Sequence, residues 1–177
     1  VDSLYSGVER KAPSERIARN LIEDAFDSVR NEDAALIVST FSSHIARLKS
    51  IVDFGKKTGR KIVFLGSLNK YVECAIKIKQ CPFQKDVKIM KYKNQINSFL
   101  KKVEKSRNEY LIVCTGHQAE EGSVLDRIVE EETPLKLRKD DHVIFSSSVI
   151  PAPTNINARD KMDKKLRRKG VRRHLEI

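Results

Sequence analysis

Apolar positions along this chain fall into two alternating rhythms. Residues 34–40 (AALIVST) and 61–66 (KIVFLG) are short continuous apolar runs, the pattern of strands covered on both faces of a sheet. Ahead of the first run, Ile17, Leu21, Ile22, Ala25, Phe26 and Val29 keep helical spacing, with Ser14 as a candidate N-cap behind Pro13. The stretch SHIARLKSIVDFGKKTG predicts a second helix closed by Gly59, and a third runs from about residue 69 to 79. A weaker strand, DVKIM, follows the Cys81-Pro82 break, then a helix over QINSFLKKVEKS. Residues 110–114 (YLIVC) form the next strand, and Ser123 caps a helix opening at Val124. A strand over 141–148, a Pro-rich turn (VIPAPTN), a basic helix over about 155–169 stopped by Gly170, and a final strand begun by VRRHLEI complete the order. The opening VDSL reads as the end of a strand.

Repeated strand–helix units predict an α/β fold, a mostly parallel sheet with helices on both faces. Ligands of such sheets sit beyond the carboxyl ends of the strands. Four of those ends finish in Ser39-Thr40-Phe41-Ser42-Ser43-His44, Gly66-Ser67-Leu68-Asn69, Thr115-Gly116-His117-Gln118 and Ser146-Ser147-Ser148. Together they suggest a rim offering hydroxyl and backbone N–H donors to anionic oxygens.

Composition narrows the partners. With 177 residues, 33% charged and 40% hydrophobic, the chain fits one soluble domain. No apolar run approaches the roughly 20 residues a membrane span needs, so no membrane partner is expected. No signal-peptide pattern opens the sequence. Cys74, Cys81 and Cys114 make no CxxC pair, and their odd number argues against a disulfide framework. A reducing, cytoplasmic location is the default. His44, His117, His142 and His174 lack metal-ligand spacing, so no metal site is expected from this chain alone. The net charge is +11, of which residues 159–173 (RDKMDKKLRRKGVRR) carry nine Lys or Arg against two Asp. A solvated helix face would look the same, but so concentrated an excess favours a polyanion, nucleic acid above all.

The motifs of small-molecule enzymes are missing. There is no GxGxxG or GxxxxGK[ST] for a nucleotide, and no GxSxG elbow for a hydrolase. Ser123 has no sequence-placed His/Asp partners, and Glu120 and Glu121 read as complements to a helix dipole. His142 and His174, at strand boundaries, read as structural.

Several segments, in order, resemble the β-CASP region of ribonuclease J-type metallo-β-lactamase nucleases. VDSLYSG is similar to the segment carrying that family's motif A acid, here Asp2. APSER matches its Pro-Ser-Glu turn, with Glu15 at the helix start, and STFSSHIARLKSIVDFGKKTGRKIVFLG resembles its Phe-Ala-Ser-Asn-x-x-Arg helix and following strand. TGHQAEEGSVLDRI resembles the Thr-Gly-Ser-Gln-Gly-Glu turn, and DHVIFSSSVIPAPTNINARDKMDKKLRRKG the Ser-Ser-x-x-Ile-Pro segment and its helix. The chain departs from the pattern at His117 (usually Ser), Ala119 (usually Gly) and Ala152-Pro153 (usually Gly-Asn). Its departures and Lys content suit an archaeal member.

The resemblance implies that residues 1–177 are a single β-CASP domain, excised from a longer chain whose metallo-β-lactamase domain holds two zinc ions. It implies a parent that hydrolyses RNA phosphodiesters as a 5′-to-3′ exonuclease, with endonuclease activity and a homodimeric parent also open. The isolated chain, lacking zinc ligands, is expected to be inactive. Asp2 would support catalysis by orienting a histidine outside the chain. Ser42, Ser43, His44, Thr115, Gly116, His117, Gln118, Ser147 and Ser148 would face RNA, and Arg167, Arg168, Arg172 and Arg173 would attract it at longer range. The rival readings are an endonuclease of the polyadenylation-factor type, a DNA-repair nuclease of the same superfamily, and a protein-interaction module.

Overall fold

In the computed structural model, residues 14–29 and 33–174 are described; Asp2 and the VDSL segment lie outside them. Helix α1 (Glu15–Asp27) precedes β1 (Leu36–Ser39), α2 (Ile45–Lys57), β2 (Lys61–Leu65), α3 (Leu68–Lys77), β3 (Val87–Met90) and α4 (Lys93–Lys105). A 3-10 turn (Arg107–Glu109) leads into β4 (Tyr110–Cys114), followed by α5 (Val124–Val129), β5 (His142–Phe145), α6 (Pro153–Arg168) and β6 (Arg172–His174). Among the described residues the strands form one sheet in the order β3-β2-β4-β1-β5-β6, every pair parallel.

Two cores flank this sheet. On one face Ile22 and Phe26 of α1, Leu48, Ile51 and Phe54 of α2, and Leu68 and Val72 of α3 pack on Leu36, Val38, Ile62, Phe64 and Val113. On the other, Ile96, Phe99 and Leu100 of α4, Leu125 and Ile128 of α5, and Met162 and Leu166 of α6 pack on Ile37, Val63, Leu65, Ile112, Val143 and Phe145. Alternate strand residues thus serve opposite cores, which is why the central strands read as unbroken apolar runs.

Element ends follow local chemistry. Ser14 caps α1, its hydroxyl accepting from Ile17 N–H at 3.4 Å, and Gly59 and Gly170, at φ +70° and +72°, turn the chain after α2 and α6. Helix α6 starts at Pro153, earlier than the spacing indicates, because proline at the first helical position gives up no hydrogen bond. Strand β5 is shorter than the 141–148 run: Ser146 N–H still donates to Ser39 O at 3.0 Å, after which the chain leaves the sheet.

Candidate nucleic-acid interface

The chain leaves β1 toward α2 on one face, whereas it leaves the neighbouring β4 and β5 toward α5 and α6 on the other. Loops that diverge from adjacent parallel strands open a crevice at their carboxyl ends. The β1 exit, 40–44, stands in that crevice between the β4 exit, 115–123, and the β5 exit, 146–152.

Within the β4 exit, Gly116 sits at φ +121°, and a Cβ there would lie 2.6 Å from Ser123 Oγ and 2.7 Å from Leu125 Cβ. Only glycine lets the strand turn so tightly onto α5. Ser123 caps α5, accepting from Asp126 N–H at 3.2 Å. Glu120 turns back to accept from Gln118 N–H at 3.2 Å, and Asp126 is the acid in the first turn of the helix.

His117, a loop histidine by sequence, is buried. Its ring meets the edge of Phe41 with centroids 3.9 Å apart, and Arg159 Nη1 donates to its carbonyl at 2.7 Å. Neither ring nitrogen makes a well-formed hydrogen bond among the described residues, although the Thr40 backbone interacts with the ring. Burial, with the Arg159 charge nearby, pushes the imidazole down to about 4, so it is neutral at pH 7. The Ser39 and Thr40 hydroxyls share its condition: both residues are fully buried, and neither oxygen has a partner among the described residues.

Around these stand groups that fix the loops. Gln118 clamps the β5 exit, donating to Ser148 O at 3.0 Å and accepting from Ile150 N–H at 2.8 Å. Arg47 grips Glu15 through two contacts of 2.9 and 3.0 Å and donates to Ser146 O. His44 is the N-cap of α2, its Nδ1 accepting from Arg47 N–H at 3.1 Å and its Nε2 lying 3.5 Å from Glu15. Thr115 and Ser67 hydroxyls meet at 3.0 Å, tying the β4 exit to β2. Ser43, His44 and Ser148 are exposed and Ser42 and Thr115 half-buried, whereas Gly116, His117, Gln118 and Ser147 are buried. Solvent therefore meets hydroxyls at the rim and finds rigid, pre-set turns behind them.

The basic segment lies elsewhere. Helix α6 starts at the crevice and carries Arg167 and Arg168 to the opposite end of the sheet, about 24 Å away at 1.5 Å per residue. Many of its cations are already paired there: Lys165 with Glu130, Lys169 with Glu131, Arg172 with Asp140 and Arg173 with Asp163. Arg159, Arg47, Glu15 and Phe41 hold the site together but were not among its expected residues. The pairing of Phe41 with His117, and of Arg159 with Phe145 at 3.4 Å, joins positions too far apart in sequence to be foreseen.

Among the described residues no group of three or more His, Cys, Asp or Glu converges to hold a metal ion. Nor is any helix among them long and apolar enough to cross a membrane.

The family model described as "Ribonuclease J, beta-CASP domain" matches residues 33–162. Ribonuclease J of Methanocaldococcus jannaschii is 42% identical over 93% of the chain, and that of Pyrococcus abyssi 39% identical over 97%. Ribonuclease J of Helicobacter pylori is 32% identical over 85% of the chain. The chain spans 37% and 38% of the length of the two archaeal relatives and 20% of the last.

Proposed function

The chain belongs to the β-CASP domain family of ribonuclease J, and we propose that its crevice edge is the RNA-gripping wall of a longer zinc-dependent ribonuclease. The observation that carries the reading is the divergence of three strand exits around Thr40 and His117, with hydroxyls at the rim and buried, unpartnered polar atoms beneath. Hydroxyls and N–H groups suit phosphate oxygens and carry no base preference, so the wall positions the strand without reading sequence. The neutral His117 acts as a hydrogen-bonding group rather than a charge. Aromatic residues are 6% of the chain and Trp is absent, which favours backbone tracking over stacking in the crevice.

In this reading residues 1–177 are one domain of a cytoplasmic parent. A metallo-β-lactamase domain elsewhere in that parent holds two zinc ions that activate water and stabilise charge on the cleaved phosphate. The parent is a 5′-to-3′ exoribonuclease, and Asp2 supports its metal-bound catalysis. The 177-residue chain then binds RNA in a salt-sensitive manner and cleaves none, with or without added zinc. Binding of a short single-stranded RNA by this chain, compared with a Ser43→Ala/Thr115→Ala/Ser148→Ala variant, tests it. A severalfold loss of affinity in the variant, with its cooperative melting transition retained, supports the reading. Unchanged affinity, or cleavage by the purified chain, overturns it.

A further inference from the structure

At the far edge of the sheet a second surface has the character of a nucleic-acid track. Strand β3 is the edge strand beside β2, and none of its residues is fully buried. Helix α4 lies over the neighbouring strands, where Phe99, Leu100 and Val103 join Val63 and Ile112. The register Val63↔Lys88 and Leu65↔Met90 turns Lys88 and Met90 toward that same face. Between α4 and β3 runs an open groove of about 1030 Å3.

Four lysines line it: Lys61, Lys85, Lys88 and Lys102. Lys61 is paired with Glu109 at 3.0 Å, and the one acid of the lining, Asp86, is paired with Lys56 at 2.7 Å. Lys85, Lys88 and Lys102 are exposed, and none has an acidic partner among the described residues. Tyr110 stands in the wall, edge-on to Phe99 at 5.1 Å, and the α4 side contributes Asn94, Gln95 and Ser98. The groove runs from Met90, at the carboxyl ends of the strands where the crevice also opens, toward Lys85, Lys102 and Tyr110 at the amino ends. Its Met90 end lies three strand positions from β1, roughly 14 Å at about 4.8 Å per strand.

A lysine on an exposed edge strand also discourages unwanted strand pairing, which accounts for Lys88 alone. It does not account for Lys85 in the preceding loop or Lys102 on the facing helix. Three unpaired cations from three elements, converging with an aromatic wall and side-chain amides, match a surface for single-stranded nucleic acid. Resting on the RNA-gripping reading of the crevice, we infer that the α4–β3 groove is a second binding track, holding the RNA segment that extends beyond the crevice. An acidic peptide would satisfy the charges as well, but the groove opens at the same ends of the strands as the crevice, which makes the strand gripped there its nearest polyanion. Asn94 and Gln95 serve the start of α4 through their oxygens, which leaves the amide nitrogens facing the groove as donors.

The test compares oligouridine RNA of about 6 nucleotides, within one surface's site size, with RNA of about 30. Wild-type chain and a Lys85→Gln/Lys88→Gln/Lys102→Gln variant are titrated, the variant's melting temperature confirming its fold. Wild type should bind the longer RNA at least tenfold more tightly. The variant should lose most of that gain and keep its short-RNA affinity, while the salt slope for long RNA falls by about 2, as three phosphate contacts at ~0.7 each require. A variant that keeps the full length gain and salt slope overturns the proposal. Displacement of long RNA by polyglutamate as effective as by RNA of equal charge also overturns it, in favour of an acidic peptide. Failure of wild type to bind the short RNA counts against the crevice alone, because the lysine-dependent part of long-RNA affinity still decides the groove.

Discussion

The two ends of the sheet handle buried polarity in opposite ways. At the amino ends of the strands, Asp141 accepts from Ala35 N–H at 2.8 Å, from Arg138 N–H at 2.7 Å and from the buried Arg107. Arg107 also donates to Glu104 at 2.6 Å and Lys136 O at 2.9 Å, and Arg60 donates to Ala34 O at 2.8 Å and Arg107 O at 3.2 Å. Charge is buried there, and each named group is met by several partners. At the carboxyl ends the buried Arg159 is held by the His117 carbonyl, but the groups beside it are neutral, and the Ser39 and Thr40 hydroxyls and the His117 ring nitrogens make no well-formed hydrogen bond among the described residues. Unsatisfied buried polar atoms cost stability, so they persist where another use maintains them. The amino end is closed by charge networks, with His142 Nε2 as its buried atom without a partner among the described residues, whereas the carboxyl end gathers several such atoms in one place.

Breaking the closed end should have the largest effect. Asp141→Ala strands Arg107 in the interior and should cost about 3–5 kcal/mol in urea unfolding. Thr40→Val, which removes a hydroxyl without a partner at nearly constant shape, should change stability by less than about 1 kcal/mol while weakening RNA binding. Equal losses from the two would erase the contrast.

Next in size is Gly116→Ala, which forces a Cβ against Ser123 and Leu125 at a backbone angle that L residues avoid. It should lower stability by about 1–3 kcal/mol, read as a fall in melting temperature, and weaken short-RNA binding with it.

The histidines offer a subtler comparison, one at each end. Burial, then His174 and the nearby Arg172 and Arg60, push His142 down to about 4, and His117 lies equally low. Both stay neutral in the fold yet protonate in the unfolded chain. Stability is therefore complete above the ordinary histidine value of about 6.5 and declines as pH falls toward about 4. His142→Gln and His117→Gln should each flatten the melting temperature's dependence between pH 7 and pH 5. A slope unchanged in both variants would contradict neutral burial.

Thr115→Ala gives up the hydroxyl contact with Ser67 and should cost about 1 kcal/mol. The smallest expected effect is on stability from the exposed Ser43→Ala, within about 0.5 kcal/mol, and its whole consequence should appear in RNA affinity.

Much of the architecture was legible because strand and helix rhythms are local. The runs 34–40 and 110–114 mark buried parallel strands, and Ser14, Ser123, Gly59 and Gly170 mark helix ends as the structure has them. The ordered β-CASP motifs identified the family that the comparisons show. What stayed hidden depends on closure of the sheet. Arg60, Arg107 and Asp141 look like surface charges until three separate segments meet. His117 looks like a loop residue until Phe41 and Arg159 cover it. The basic run 159–173 looks uniformly free until Glu130, Glu131 and Asp140 from elsewhere in the chain, and its own Asp163, pair with Lys165, Lys169, Arg172 and Arg173, while Arg167 and Arg168 stay exposed.

The strand order also dictates a timetable. The central strand β1 finds its neighbours only in β4, where Leu36 aligns with Leu111, and in β5, where it aligns with His142. A ribosome adding about 5–20 residues per second leaves β1 without either neighbour for several seconds. Through that interval an uncovered apolar strand is open to chaperones and to aggregation, and nascent chains ending before Phe145 should be protease-sensitive whatever helices they have formed.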